Sequence, residues 1–260
     1  MTDSDDLFGR IRKLKERAAA ASGPSIVDRF VQEIHRKRAL VQALDTFIQN
    51  IYFADGLTPA ESQKNIAESL VEIRYYRQHS SNGILVTDDG YFLTALHCVQ
   101  NSERHPLEQA RIQVYNGNSY PIEKICASAK KEDLALVKAV IPKECKPRNY
   151  RFYNTNVLCN DRATLLARRD GKLSVRDGSI TRAKYKTEFR IENEPEKVYT
   201  NHFFTDFAAI PGDSGGVILS IDGRVAGLVC GGNYQITSGV KIIQGLKLIE
   251  AYKRRISESI

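Results

Sequence analysis

The sequence lacks the features of a membrane-spanning or conventionally exported protein. No stretch approaches the roughly 20 apolar residues that a membrane helix requires, so no membrane partner is expected. The amino terminus, residues 1–6, is acidic and polar, whereas a secretory leader combines a basic start with an apolar segment. We therefore predict a cytoplasmic protein, with delivery by a leaderless secretion route as the open alternative.

Cysteine is scarce and scattered. The five cysteines include no Cys-x-x-Cys pair, so neither a disulfide framework nor a zinc site is indicated, and no metal or other cofactor is predicted. Reduced thiols fit the cytoplasmic assignment.

The charge balance is basic, with 38 Lys and Arg against 31 Asp and Glu. Part of the excess lies in one short stretch: Arg168, Arg169, Lys172, Arg176, Arg182, Lys184 and Lys186. Such a cluster can attract nucleic acid, but no aromatic residues alternate with it as in single-strand binders. A solvated loop and strand face is the favoured interpretation, and nucleic-acid binding is the less favoured alternative.

Residues 1–69 have helical signals, and they predict two or three helices. Ser4 is a candidate N-cap. Thr58, Pro59 and Glu61 form a strong helix start. Between these two starts, Val27, Ile34, Val41 and Ile48 repeat every seven residues, a pattern typical of helix–helix packing within or between chains.

From Leu70 the apolar period falls to two, with Val71, Ile73 and Tyr75 alternating with Glu72, Arg74 and Tyr76. Further short strands are predicted at 84–86, 91–94, 111–115, 121–127, 134–140, 163–167, 173–181, 217–221 and 224–230. Short strands separated by turns indicate an all-β barrel or sandwich. A helical pattern returns at 246–252, so residues 70–260 are predicted to be one mainly β domain.

Three places in the β region carry chemistry. An apolar strand ends in His97, Asp133 directly precedes the predicted strand 134–140, and Ser214 lies in the glycine-rich turn 212–216. A serine hydroxyl needs a base within hydrogen-bond reach, and that base needs an acid to fix its tautomer. Each residue alone has an ordinary structural explanation, but the three together favour nucleophilic catalysis.

These motifs resemble a known family. Residues 94–98, 133–136 and 212–216 are similar to the three signatures of chymotrypsin-fold serine proteases, closest to the bacterial HtrA-type branch, and the resemblance covers about residues 70–252. It implies two six-stranded antiparallel β-barrels, here with an α-helical N-terminal extension and without the PDZ domain usual in HtrA-type enzymes.

The resemblance also implies roles for individual residues. His97 would be the general base and acid, Asp133 its orienting acid with Glu132 as the adjacent rival, and Ser214 the nucleophile. Gly212 and Ser214, with help from Asp213, would form the oxyanion hole. The substrate pocket would be lined by Ala208, Cys230, Gly231 and Gly232, an uncharged set that favours an uncharged substrate side chain. His35, His79, His105 and His202 are expected to be surface or packing residues.

Two departures from the family pattern carry expectations. Cys98 stands where secreted relatives have a disulfide, but Asn82 occupies the partner position, so a free buried thiol is expected. No Ile-Val-Gly-Gly-like sequence precedes the barrels, so activation by a freed amino terminus that pairs with the acid before the serine is not expected.

The predicted function is that of a serine endopeptidase acting on protein or peptide substrates through an acyl-enzyme. Residues 1–69 are predicted to control assembly or targeting, through a homo-oligomer or a regulatory partner. The alternatives are a protease-fold binding module with a dormant site, and a nucleic-acid-associated protein with coupled proteolysis.

Overall fold

Two closed antiparallel barrels of six strands each form the body of the protein, which confirms the predicted fold class. The computed structural model describes residues 26–53, 56–75, 79–100, 106–142, 157–189, 197–232 and 235–260. The first barrel has the spatial order β1-β2-β3-β6-β5-β4. Its strands are β1 (Leu70–Tyr75), β2 (His79–Leu85), β3 (Tyr91–Ala95), β4 (Arg111–Gln113), β5 (Ser119–Ala129) and β6 (Leu134–Ala139).

The second barrel repeats this connectivity, in the order β7-β8-β9-β12-β11-β10. Its strands are β7 (Arg162–Arg169), β8 (Lys172–Phe189), β9 (Lys197–Thr205), β10 (Val217–Ser220), β11 (Val225–Gly232) and β12 (Thr237–Lys241). Two of these strands, β9 and β12, were not predicted, because their sequences mix polar residues with apolar ones and show no regular alternation. The barrels close where β1 pairs with β4 and β7 pairs with β10.

Three helices frame the barrels within the described residues: α1 (Ile26–Phe53), α2 (Pro59–Ser69) and α3 (Ile242–Ser257). The predicted capping box of α2 is present, because the Glu61 N–H donates to Thr58 Oγ1 at 3.2 Å and the Thr58 N–H donates to Glu61 Oε2 at 2.8 Å. The predicted helix near Ser4 lies outside the described residues.

The second half of α1 packs on α3 and on the first barrel. Leu40, Leu44 and Phe47 are buried in the core, and Asp45 accepts a 2.6 Å hydrogen bond from Lys253 of α3. The first half of α1 leaves Ile26 and Phe30 exposed. The heptad pattern therefore packs within the chain over only part of its length. Across the described ranges, no helix is long and apolar enough to span a membrane.

Glu72 departs from the predicted alternation of β1, since it is buried rather than exposed. Its carboxylate accepts hydrogen bonds from Arg74 and from the N–H groups of Asp170 and Gly171, at 2.9 to 3.1 Å. A buried carboxylate is tolerated when its oxygens are bonded in this way. Glu72 thus ties the β7–β8 hairpin of the second barrel to the first barrel.

The basic cluster is only partly the solvated face that was expected. Arg169 and Lys172 are exposed, but Arg168 donates to the Ala67 carbonyl at 2.9 Å, and Arg176 turns toward the serine loop. The side chains of Lys184 and Lys186 lie outside the described part of the chain. Nucleic-acid binding by this cluster stays the less favoured alternative.

Candidate active site

His97 lies where β3 leaves the first barrel. The buried strand ends at Ala95, and the short 3-10 turn Leu96–Cys98 follows. The His97 side chain is 38% exposed, and its Nδ1 lies 2.6 Å from Asp133 Oδ2. The backbone N–H of His97 donates to Asp133 Oδ1 at 3.0 Å, and that of Leu96 to the Asp133 carbonyl at 2.8 Å. Both oxygens of one carboxylate therefore fix the position of the imidazole.

Asp133 is buried and has a φ of +54°. Left-handed backbone is uncommon outside glycine, and aspartate is among the residues that tolerate it best. The bonds to Leu96 and His97 hold Asp133 in this conformation. Glu132, the rival acid, points elsewhere, since its Oε1 accepts a 3.3 Å hydrogen bond from Asn201 Nδ2. The structure thus brings Asp133, and not Glu132, to His97.

A buried histidine, which the sequence analysis expected to be a surface or packing residue, is bonded to the backbone next to this acid. His202 is fully buried, with Nδ1 2.8 Å from Ser238 Oγ and Nε2 3.3 Å from the Glu132 carbonyl. Because a carbonyl only accepts, Nε2 carries the proton and the Ser238 hydroxyl donates to Nδ1. No local motif marks His202. Its position matters because β9 brings its ring to the Glu132 carbonyl, one residue before Asp133.

The pH dependence of stability should report this buried histidine. Burial lowers the pKa of His202 below its ordinary value, so below about pH 6.5 the unfolded chain takes up a proton that the folded chain refuses. Stability is therefore present above that pH and lost as the pH falls, by up to about 1.4 kcal/mol per pH unit. Urea denaturation at pH 7 and pH 5 should show that His202→Gln loses less stability on acidification than the wild type. The exposed His35→Gln serves as the matched control, and equal losses in all three proteins would contradict the assignment.

The Ser214 turn joins the two barrels. The Asn82 N–H of β2 donates to the Ser214 carbonyl at 2.6 Å, and the Gly215 N–H donates to the Val229 carbonyl of β11 at 2.7 Å. Gly215 has a φ of +76°, and a Cβ at that position would collide with the Asn82 carbonyl. Only glycine fits there. The turn therefore lies against β2, close to the strand that leads to His97.

Three polar groups of this turn are unengaged within the described residues. The Ser214 hydroxyl makes no hydrogen bond there, and the N–H groups of Gly212 and Ser214 have no acceptor. Hydrogen bonds thus join Asp133 to His97 but do not join Ser214 to His97. The His97 Nε2 instead lies 3.7 Å from Cys98 Sγ, a weak contact to a free buried thiol of the kind predicted there.

The electrostatics of His97 are set by its two neighbours. Burial disfavours the imidazolium, but the adjoining Cys98 sulfur and the Asp133 carboxylate outweigh it and raise the pKa of His97 well above its ordinary value. The Cys98 sulfur and Asp133 therefore favour the charged form of the imidazole.

Arg176 is a site residue that the sequence analysis missed. Its Nη2 lies 2.5 Å from Asp213 Oδ1, and its Nη1 donates to the Ala208 carbonyl at 2.7 Å. The other Asp213 oxygen accepts from the Ile210 N–H at 2.7 Å. One arginine of β8 thus holds the loop before Ser214 at two points. Arg176 belongs to the basic cluster, and the sequence alone does not distinguish an inward-facing arginine from its exposed neighbours.

The predicted pocket residues have different environments. Gly231 and Gly232 pair with Ser238 and Thr237 across β11 and β12. The Cys230 sulfur lies 3.8 Å from the Asp133 carbonyl, so this residue lies against the backbone of the acid, and burial raises its pKa well above the ordinary value. Nowhere in the described ranges do three His, Cys, Asp or Glu side chains lie close enough together to hold a metal ion.

The two-barrel fold with this pair and turn defines a chymotrypsin-like serine protease domain. Residues 81–228 match the family described as the trypsin-like peptidase domain. This match spans more than half of the chain, and the protein belongs to that family.

Two curated relatives are of the HtrA type. The chain is 28% identical over 157 residues to a probable periplasmic DegP-like serine endoprotease of Chlamydia pneumoniae, a match that covers 60% of this chain and 29% of that protein. It is also 28% identical over 200 residues to the serine protease HTRA1A of Danio rerio, covering 70% and 37%. The chain thus spans about a third of the length of these relatives.

Solved structures share the fold at low sequence identity. The serine endoprotease from Yersinia pestis superposes with a TM-score of 0.57 at 20% identity, covering 76% of this chain and 67% of that one. An inactive mutant of Rv3671c from M. tuberculosis H37Rv gives 0.56 at 15% identity, covering 73% and 88%.

Proposed function

We propose that this protein is a serine endopeptidase that cleaves protein or peptide substrates through an acyl-enzyme on Ser214. The observation that carries the proposal is the Asp133–His97 pair, joined at 2.6 Å, on the barrel against which the Ser214 turn is bound. A base oriented by a buried acid, together with an unengaged serine hydroxyl, is what this chemistry needs.

Each step has a residue that can perform it. His97 Nε2 takes the proton of Ser214 Oγ as that oxygen attacks the substrate carbonyl carbon, and the weak contact to the Cys98 sulfur gives way to the hydroxyl. The charge that develops on the carbonyl oxygen is met by the free N–H groups of Gly212 and Ser214. His97 then returns the proton to the departing amine, and a water deprotonated by His97 releases the acid product.

The proposal is supported by what surrounds the nucleophile. Asp213 contributes to the predicted oxyanion hole by holding the turn, because its carboxylate is bonded to Arg176 and to the Ile210 N–H.

The control of assembly or targeting by residues 1–69 stays a prediction. The pocket residues and the cytoplasmic location stay predictions as well.

The direct test is labelling by a fluorophosphonate, in which Ser214 Oγ attacks phosphorus and fluoride departs. We expect one label per chain, found on the Ser214 peptide by mass spectrometry. Labelling needs neutral His97, whose pKa is raised, so its rate should be half-maximal above about pH 6.5 and fall as the pH falls. Absence of a label at every pH would favour the dormant binding module instead.

The sulfur next to His97 provides a control within this experiment. Cys98→Ala removes one cause of the raised pKa, so the midpoint of the rate profile should move to lower pH. Cys126→Ala, at another buried free cysteine, should leave the midpoint unchanged. A midpoint that does not move in Cys98→Ala would show that the Cys98 sulfur does not contribute to the raised pKa of His97.

A further inference from the structure

Asn82 is a buried amide at the seam between the barrels, and all its polar groups are bonded. It lies on β2 and is fully buried. Its backbone N–H donates to the Ser214 carbonyl at 2.6 Å, and its carbonyl accepts from Thr94 Oγ1 at 2.5 Å. Its Nδ2 donates to the Gly212 carbonyl at 2.7 Å, and its Oδ1 accepts from the Arg168 N–H at 2.6 Å.

These partners determine how the amide is oriented. A carbonyl only accepts and a backbone N–H only donates, so the nitrogen must face Gly212 and the oxygen must face Arg168. The side chain cannot turn over without losing both bonds, and a buried polar group without a partner costs about 1–3 kcal/mol. Asn82 is therefore fixed in one orientation between β7 and the serine turn.

The bond to Gly212 restrains the peptide that separates the two free N–H groups. The carbonyl of the Gly212–Asp213 peptide is held by Asn82, and its N–H donates to the Ile210 carbonyl at 3.1 Å. Gly212 has a φ of +101°, a backbone region in which glycine has wide freedom. Because this peptide is held at its carbonyl and at its N–H, the backbone of Gly212 loses that freedom. The directions of the N–H groups of Gly212 and Ser214 are then set.

We propose that Asn82 is a positioning residue for the oxyanion hole, which it aligns through the Gly212 carbonyl. This inference rests on the proposed function. The amide touches neither the substrate nor Ser214 Oγ, and it acts by keeping the N–H groups of Gly212 and Ser214 aimed at one point. Preorganised donors are effective because they need no rearrangement when charge develops.

The test compares three variants in the full chain. Asn82→Ala removes the amide, and Asn82→Asp keeps the shape and the acceptor for the Arg168 N–H but turns a carboxylate oxygen toward the Gly212 carbonyl. Thr94→Val is the matched control, because it removes a buried hydrogen bond to the same residue without touching Gly212. The measurements are kcat and KM for a peptide ester, the fluorophosphonate rate, and the melting temperature.

Loss of one oxyanion donor costs about 100- to 1000-fold in kcat, so displaced donors should cost about 10- to 100-fold. We expect that fall in kcat and in the fluorophosphonate rate for both Asn82 variants, with KM changed less than about threefold. Thr94→Val should keep kcat within about threefold at a comparable loss of melting temperature.

The outcomes separate this inference from the proposed function. A wild-type chain that neither labels nor cleaves would overturn both. A reactive wild type with equally reactive Asn82 variants, or with an equal loss in Thr94→Val, would overturn the positioning role alone. If both Asn82 variants are unfolded at 25 °C while Thr94→Val is folded, Asn82 is a residue of the fold, and the proposal is wrong.

Discussion

Ser214→Ala is expected to lower kcat for peptide hydrolysis by about 10⁵- to 10⁶-fold. The nucleophile, the base and the acid act as a unit, so the loss of the hydroxyl leaves His97 and Asp133 with nothing to activate. Residual catalysis would come from substrate binding and from the free N–H groups of Gly212 and Ser214. Steady-state kinetics on a peptide ester or an unfolded protein measures the effect.

The fold should survive this substitution, because the Ser214 hydroxyl makes no hydrogen bond within the described residues. The melting temperature should therefore stay close to that of the wild type. Ser257→Ala, at an exposed position of α3, is the matched control and should keep kcat within about twofold. More than 1% of wild-type activity in Ser214→Ala would show that another group is the nucleophile.

The second large effect is expected on stability, from Arg176→Met. This change leaves the Asp213 carboxylate, 3% exposed, without its cation. Removing one partner of a buried ion pair costs about 3–5 kcal/mol, because the remaining charge is buried and uncompensated. Urea denaturation at pH 7 should show this loss, and fluorophosphonate labelling should slow, since Arg176 also holds the Ala208 carbonyl in the loop before Ser214.

The double variant Arg176→Met with Asp213→Asn separates charge from packing. With no carboxylate left to compensate, it should recover part of the lost stability relative to Arg176→Met alone. Lys172→Met, at an exposed position of the same strand, should change the free energy of unfolding by less than about 0.5 kcal/mol. An Arg176→Met protein as stable as Lys172→Met would refute the structural role of the ion pair.

The sequence predicted most of the fold because short strands and turn residues are local signals. The capping box at Thr58 and the strand starting at Leu134 were predicted on such signals and are present. The strand β8 extends to Phe189, beyond the predicted end at 181, because its second half pairs with β9, a partner that the local pattern did not reveal.

The residues of the candidate site also fall into two groups, those that local sequence signals identify and those that only the fold identifies. His97, Asp133 and Ser214 could be selected because each lies in a distinctive string. Arg176 and His202 could not, because their significance depends on which distant backbone they reach: the Ala208 carbonyl for one and the Glu132 carbonyl for the other. Asn82 was noted only as the residue that replaces a cysteine, and its contact with Gly212 could not be inferred from that position.

Arg176, which holds Asp213, has a consequence for how the loop before Ser214 becomes ordered. A cation carried by a side chain is present as soon as the polypeptide has been made, whereas a new α-amino group exists only after a backbone cut. The loop before the nucleophile can therefore become ordered during folding, with no maturation cleavage. Ordering of this loop through Arg176 therefore does not require a new amino terminus.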